Sequence, residues 1–398
     1  MKGFAYDCEV NGIYYDLDET NKTAKVTYYS NSDNYSSNSS AYHDTVTIPS
    51  TIYRGTQYSV TSIGDHAFYY CSSLTSVEFP SSVTSIGNFA FYNCSGLTSV
   101  EIPSSITSIG DYAFSGCSGL ISVEIPSSIT NIGGCAFWCC SSLTSVEIPS
   151  SVTRIEDSTF GYCSSLTSIE IPTSVTRIEG YAFYNCSSLT SVEIPSSVTS
   201  IQSNAFEGCS GLKNVKINTK IVGMLFSGFT SIQKITLGEE VTSIDNSAFS
   251  GCSGLTSITI PSSVTSIGYA AFSGCSGLTS IIIEDGTESL SFSTNRYNPK
   301  AFGDCPIESL YLGRNIIYSD SYSPFAGKTT LTSLTIGNNV ADINDWEFSS
   351  CSSLTSIEIP NRVTSIGKSA FEGCSNLNSI NIPNRVTSIG EYAFAYCI

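Results

Sequence analysis

Histidine is nearly absent from this chain: His43 and His66 are the whole supply in 398 residues. A Ser-His-Asp or Cys-His arrangement has little to recruit, and no G-x-S-x-G nucleophile elbow accompanies either ring. Charge is scarce as well. Only 13% of residues are charged, and 17 basic against 34 acidic side chains leave a formal charge of −17. That balance argues against nucleic acid or an anionic membrane surface as the main partner. No apolar run approaches the length of about 18 residues that a membrane-spanning helix requires, so no membrane span is expected. The opening residues MKGFAYDCEVNG place no apolar stretch behind their lysine, so they are not expected to act as an export leader.

What is abundant is one phrase. Residues 93–114 read NCSGLTSVEIPSSITSIGDYAF, and close variants return every 23 residues. The phenylalanine of the Ala-Phe pair marks the beat: Phe68, Phe91, Phe114, Phe137, Phe160, Phe183 and Phe206. After a unit three residues short come Phe226, Phe249 and Phe272. After one seven residues long come Phe302, Phe325, Phe348, Phe371 and Phe394. A fixed period in this range is the mark of a stacked array whose units cannot each enclose a core.

Within one unit, Val100 and Ile102 alternate as in a strand that Pro103 ends, because proline has no N–H for the ladder. Ile106 and Ile109 form a second short β piece, and Gly110 allows a turn. The offsets of Ala113, Phe114 and Cys117 in DYAFSGC suit one or two helical turns. The expected fold is a repeat solenoid of the leucine-rich type: a strand-lined face, with short β and helical turns on the outer wall. Residues 60–398 form it in about fifteen units, with the short unit near 207–226 and the insertion near 284–301. Residues 1–59 read as a β-rich N-terminal cap with aromatic alternation around Asn11-Gly12, and the polar stretch 30–40 as a mobile loop.

The pattern CSSLTSVEIPSSVTSIGxxAFxxCSSL resembles the 23-residue leucine-rich repeat of the BspA-like family, known from surface proteins of anaerobic mucosal bacteria and some mucosal protozoa. The resemblance covers about residues 60–398, and the N-terminal piece resembles the β-rich leader that often precedes such repeats. It implies a cell-surface or secreted location and a non-catalytic role in adhesion or recognition. The partner implied is a protein or glycan on a host or bacterial surface. The last unit stops at Cys397-Ile398, before its strand, so a continuation or end-to-end self-association is expected there.

Sixteen cysteines invite a metal reading. Thirteen stand three residues after the repeat phenylalanine, a pattern of small buried thiols, and Phe229 and Lys328 fill that slot elsewhere, which no obligatory metal ligand would permit. In CAFWCC, Cys135, Cys139 and Cys140 lack a C-x-x-C pair and a nearby histidine. AGKTTLT ends like a phosphate-binding loop but has Tyr322 where its first glycine belongs. No metal or cofactor is expected.

Two features remain as candidate ligand sites. The outward strand position reads Glu78, Glu101, Glu124, Glu147, Glu170 and Glu193 in six consecutive units, beside serines 76, 99, 122, 145, 168 and 191. Neighbouring carboxylates at about 4.8 Å repel by about 0.9 kcal/mol in water before screening. The row is either a solvated face copied by duplication or a site for a basic partner or weakly held calcium. The insertion is the second candidate, carrying Phe292, Arg296 and Tyr297 with Tyr311, Tyr318 and Tyr322 nearby. It reads as a binding loop or as a degenerate duplicate whose tyrosines fill space. A carbohydrate-active enzyme or its targeting module, and a self-assembling structural solenoid, are the alternative functions. Against an enzyme, the six glutamates occupy near-identical units, with nothing to set acid apart from base.

Overall fold

The computed structural model describes residues 6–29, 42–293, 300–318 and 323–397. They form two compact units, Met1–Leu212 and Lys213–Ile398. Each is a stretch of β-solenoid, with about fourteen turns in all.

The first unit opens with an antiparallel meander of β1 (Cys8–Val10), β2 (Ile13–Asp18) and β3 (Thr23–Thr27). Asn11 and Gly12 have φ of 52° and 79°, the left-handed pair that a two-residue hairpin needs. The next turn is held by the Asp18 carboxylate, which accepts the backbone N–H groups of Thr20 and Asn21 at 2.9 Å. β4 (Asp44–Thr47), β5 (Thr51–Tyr53) and β6 (Gln57–Ile63) follow, then β7 (Leu74–Glu78) and β8 (Ser85–Ile86). β3 pairs in parallel with β6, β6 with β8, and β4 with β7. The meander therefore covers the edge of the ladder that β6 and β8 continue, while β4 forms the end of the other ladder.

From there each coil stacks on the last in the same register. Ser99–Glu101 pairs residue on residue with Ser122–Glu124, and the shorter Ser108–Ile109 with Asn131–Ile132. In the second unit Ser257–Ile260, Ser280–Ile283, Ser309–Leu312 and Ser333–Ile336 continue the same way. The hydroxyls between the two strands are not idle. Ser105 and Ser128 donate to the carbonyls of Val83 and Ile106 at 2.6 Å, each one coil back.

The third wall differs from the expectation. It contains no helix among the described residues. In DYAFSGC the N–H groups of Ala113, Ser115 and Cys117 turn back to carbonyls three residues earlier, at 3.1–3.3 Å. Those between them, of Tyr112, Phe114 and Gly116, reach Gly134, Ala136 and Trp138 of the next coil at 2.7–2.9 Å. Left-handed residues, Tyr112 at φ 56° and Gly116 at 77°, produce this alternation and are incompatible with a continuous helix. A helix would instead have turned its later N–H groups back to carbonyls four residues earlier in its own coil. Helical spacing and this ribbon of turns bury the same offsets, which is why the sequence pattern suited both.

The core consists of columns. Phe68, Phe91, Phe114, Phe137, Phe160, Phe183 and Phe206 stack nearly parallel with centroids 4.8–5.7 Å apart. Each buried ring contributes about 2 kcal/mol of transfer free energy. Behind them the repeat thiols donate to the phenylalanine carbonyl of the preceding coil, Cys94 to Phe68 at 3.0 Å and Cys117 to Phe91 at 3.1 Å. Burial pushes these thiols well above their ordinary pKa, so they act as small neutral donors.

Three buried ionisable side chains stand in the coils that follow the insertion. Lys328, in the thiol slot, donates to the carbonyls of Phe302 at 2.9 Å and Cys305 at 3.2 Å, as well as to Gly303. Arg314, 1% exposed, forks across the lengthened coil to the carbonyls of Ser262 at 2.7 Å and Pro261 at 2.8 Å. The first part of the insertion is itself core: Phe292 pairs with Ile267 and is buried.

Glu347, 1% exposed, stands in the column that holds Ala113 and Ala370 in other coils, and accepts the Asn344 N–H at 2.7 Å. Desolvation raises its carboxyl from 4.5 to about 7. Below pH 4.5 the group is protonated in both states and costs nothing. Between 4.5 and about 7 the unfolded chain ionises first, so stability falls as pH rises, and above 7 the full penalty of about 3 kcal/mol stands. Glu347→Gln keeps the acceptor and removes the charge. The variant should match the parent near pH 4.5 in urea unfolding and exceed it at pH 8. Equal pH profiles would show that the carboxyl is not held neutral.

Candidate functional site

The glutamate row exists as a row. Glu101 pairs with Glu124 and Glu147 bridges to Glu170, while Thr47 of β4 donates to Glu78 at 2.8 Å. All six carboxylates are exposed because the strand alternates; five sit between an inward valine or isoleucine on either side, and Glu78 between Val77 and the half-buried Phe79. The adjacent serines pair in the same way, Ser122 with Ser99 and with Ser145.

Basic side chains are few along these coils. Between residues 64 and 212 the sequence has two arginines against twelve acidic residues. Both arginines are engaged on the neighbouring short-strand wall, where Arg154 pairs with Glu156 and Glu179 at 3.1 Å and Arg177 with Glu179 at 3.0 Å. Glu101, Glu124, Glu147 and Glu170 have no ion-pair partner among the described residues. Those four carboxylates lie in a line along a hydroxyl-rich sheet.

In the second unit the same face changes character. Thr335, Glu358 and Asn381 occupy the outward strand position, and Asn338, Asn361 and Asn384 form a parallel row just beyond the strand ends. Together they line an open polar groove of about 730 Å³. Sequence reasoning passed over this asparagine row, although its signal was visible in the change from PSS to PNR at residues 360–362 and 383–385.

Of the insertion candidates, Arg296 and Tyr297 lie outside the described residues, as do Tyr322 and the stretch 30–41. Tyr311 is in register with Ile282 and Thr335, and its hydroxyl donates to both oxygens of Asp285 at 3.0 Å. Tyr318 donates to the Asp345 carbonyl at 2.9 Å. These hydroxyls brace neighbouring coils.

Among the described residues no group of three or more His, Cys, Asp or Glu side chains is placed to hold a metal ion. The CAFWCC thiols diverge: Cys140 points into the thiol column toward the Phe114 carbonyl, while Cys135 and Cys139 remain partly exposed on the turn wall. His43 lies exposed against Asp44 at 2.9 Å. His66 is stacked on Phe89 at 5.1 Å, on the wall of the first full coil, and burial lowers its pKa.

With this geometry in hand, comparison with known proteins is decisive for the family. The model of the BspA type leucine rich repeat region matches residues 37–167, 130–252, 218–323 and 295–398. The chain belongs to the BspA-type leucine-rich repeat family. A leucine-rich repeat protein from Bacteroides ovatus is 30% identical over 99% of this chain and 93% of its own, with a TM-score of 0.53. A leucine rich cell surface protein from Faecalibacterium prausnitzii is 32% identical over 94% of each chain, with a TM-score of 0.50. No curated protein matches. Surface proteins built of leucine-rich repeats are generally binding or recognition scaffolds. No described helix of this BspA-type chain is long and apolar enough to cross a membrane.

The two kinds of thiol predict a partition in reactivity. Under native conditions a small alkylating reagent should modify Cys135, Cys139 and Cys397, which are partly exposed, and spare the column thiols until the coils unfold. Peptide mass spectrometry reads the outcome directly. Rapid native labelling of Cys117 or Cys163 would contradict the thiol column.

Proposed function

We propose that this protein is a non-catalytic recognition scaffold, displayed at a cell surface or secreted, and that the strand-lined face of its first unit binds a basic protein surface on a host or bacterial cell. The observation that carries the reading is the register: six exposed carboxylates held one per coil, with the only two arginines of those coils engaged elsewhere. Such a row has long-range reach. It steers a cationic partner during encounter, adds modest contacts per rung and is weakened by salt. The exposed serines beside it supply hydroxyls able to donate or accept with little reorganisation.

A glycosidase reading finds less support. Retaining and inverting mechanisms both need two carboxyls in unlike surroundings, one of them kept protonated. Here Glu101, Glu124, Glu147 and Glu170 stand in like strand positions on an open face. The polar groove of the second unit is suited to a glycan or to a peptide main chain, and as a recognition surface it fits the same scaffold role.

Glu124→Gln with Glu147→Gln removes two central charges and keeps the shape. On immobilised polylysine, with polyglutamate as control, the parent should bind less as sodium chloride is raised. The double variant should bind about tenfold more weakly at low salt, with a shallower salt dependence. Equal binding by parent and variant at every salt concentration would remove the row from the function. Sustained turnover of simple glycosides by the purified chain would overturn the non-catalytic part.

A further inference from the structure

The turn wall of the first unit carries a second surface that the sheet face does not explain. Two residues after each repeat phenylalanine the backbone is left-handed, with φ of 60°, 57°, 77°, 59° and 59° at Tyr70, Asn93, Gly116, Cys139 and Tyr162. Glycine takes this conformation without strain, whereas other residues are opposed by their Cβ. The second unit has glycine at five of these positions, Gly228, Gly251, Gly274, Gly327 and Gly373, with Ser350 and Tyr396 at 60° in two others. The first unit has glycine only at Gly116 and Gly208, and places two tyrosines, two asparagines and a cysteine at the rest.

These residues line one groove of about 570 Å³ together with a row of serines, Ser72 to Ser164, one from each of five coils. Tyr70 and Tyr162 close its two ends at 41% and 38% exposure, four coils or about 19 Å apart at strand spacing. Both rings are held edge-on by other aromatics. Tyr70 meets Tyr69 at 4.7 Å and Tyr92 at 5.6 Å, and Tyr162 meets Trp138 at 4.8 Å and Tyr184 at 5.2 Å. Trp138 fits because Gly161 leaves its place empty: a Cβ on Gly161 would lie 2.3 Å from the indole. Between the tyrosines the floor is shallow, since the Asn93 amide occupies the space that a Gly116 side chain would fill. The lining carries no charged side chain.

We propose that this groove is a carbohydrate-binding site for a short, neutral, linear oligosaccharide, with Tyr70 and Tyr162 as stacking platforms at its ends and Asn93 and the serine row as hydrogen-bonding partners between them. The chemistry selects this class. A pyranose presents a C–H face that packs on an aromatic ring and a hydroxyl rim that exchanges hydrogen bonds with hydroxyls and amides, and the groove offers rings at its ends and polar groups between them. A cationic ligand finds no carboxylate in the lining, and an anionic one meets a strongly acidic unit. Braced, pre-oriented rings reduce the ordering cost that a shallow site would otherwise impose.

The test uses the full chain and three probes, cellopentaose, mannopentaose and xylopentaose, read by saturation-transfer NMR and titration at millimolar concentration. At least one should bind. Tyr70→Gly and Tyr162→Gly should each weaken it about tenfold. Glycine suits the left-handed backbone and stands at this position in five coils of the second unit, so loss of binding in these variants reports the ring and not misfolding. Tyr53→Ala, which removes an exposed tyrosine outside the groove, should leave affinity unchanged. So should Glu124→Gln with Glu147→Gln, which separates this site from the sheet face. Absence of transfer to all three probes overturns the proposal, as does unchanged affinity in the Tyr70 and Tyr162 double variant. A groove that takes a proline-rich peptide and none of the sugars would also overturn it.

Discussion

Every feature of this protein depends on one constraint: a single coil cannot satisfy its own backbone. On two walls the N–H and C=O groups pair in parallel with the next coil, residue on residue. On the third, alternate N–H groups do the same, Tyr112 to Gly134 and Phe114 to Ala136. An orphaned buried amide costs about 1–3 kcal/mol, so a coil out of register would leave several such groups unmet. A slip of one residue would also turn every inward valine outward. Register is thereby fixed on all three sides, and the Phe, Ala and Cys columns follow from it.

The same constraint explains where charges became buried. Coil length departs from 23 in the second unit, and the thiol slot and alanine column lose their usual occupants there. Lys328 supplies hydrogen bonds to carbonyls that a thiol would have taken one at a time. Arg314 reaches two coils back, over the lengthened one, and its planar fork meets two adjacent carbonyls. Its cation stays buried because those carbonyls replace water, with the Glu284 charge nearby. Irregular length is tolerated where a long side chain can span the gap.

Much of this was legible in the sequence, and the limits have physical causes. The beat of the phenylalanines gave the solenoid, the alternation of Val100 and Ile102 gave the strand, and Glu101 beside Glu124 followed from the shared register. The turn wall was read as helical because Ala113, Phe114 and Cys117 have the spacing of one helix face. What decides against a helix is the sign of φ at Tyr112 and Gly116, and tyrosine gives no warning of a left-handed backbone. The bracing of Tyr311 by Asp285 was equally hidden, since the pair is brought together only by stacking.

The two surfaces differ in how they came to be written along the array. Duplication copies a residue into every coil, so a row of identical glutamates follows from repetition itself, and its charge survives because an exposed strand position tolerates it. A row reading Tyr70, Asn93, Gly116, Cys139, Tyr162 cannot arise by copying. Each departure from glycine in that column works against the left-handed backbone, and each tyrosine is matched by aromatics placed to hold its ring. In a solenoid, where neighbours in a row are set about 4.8 Å apart by the strands, chemical selectivity has to come from such unlike neighbours. Uniform rows supply reach and charge, and mixed rows supply shape.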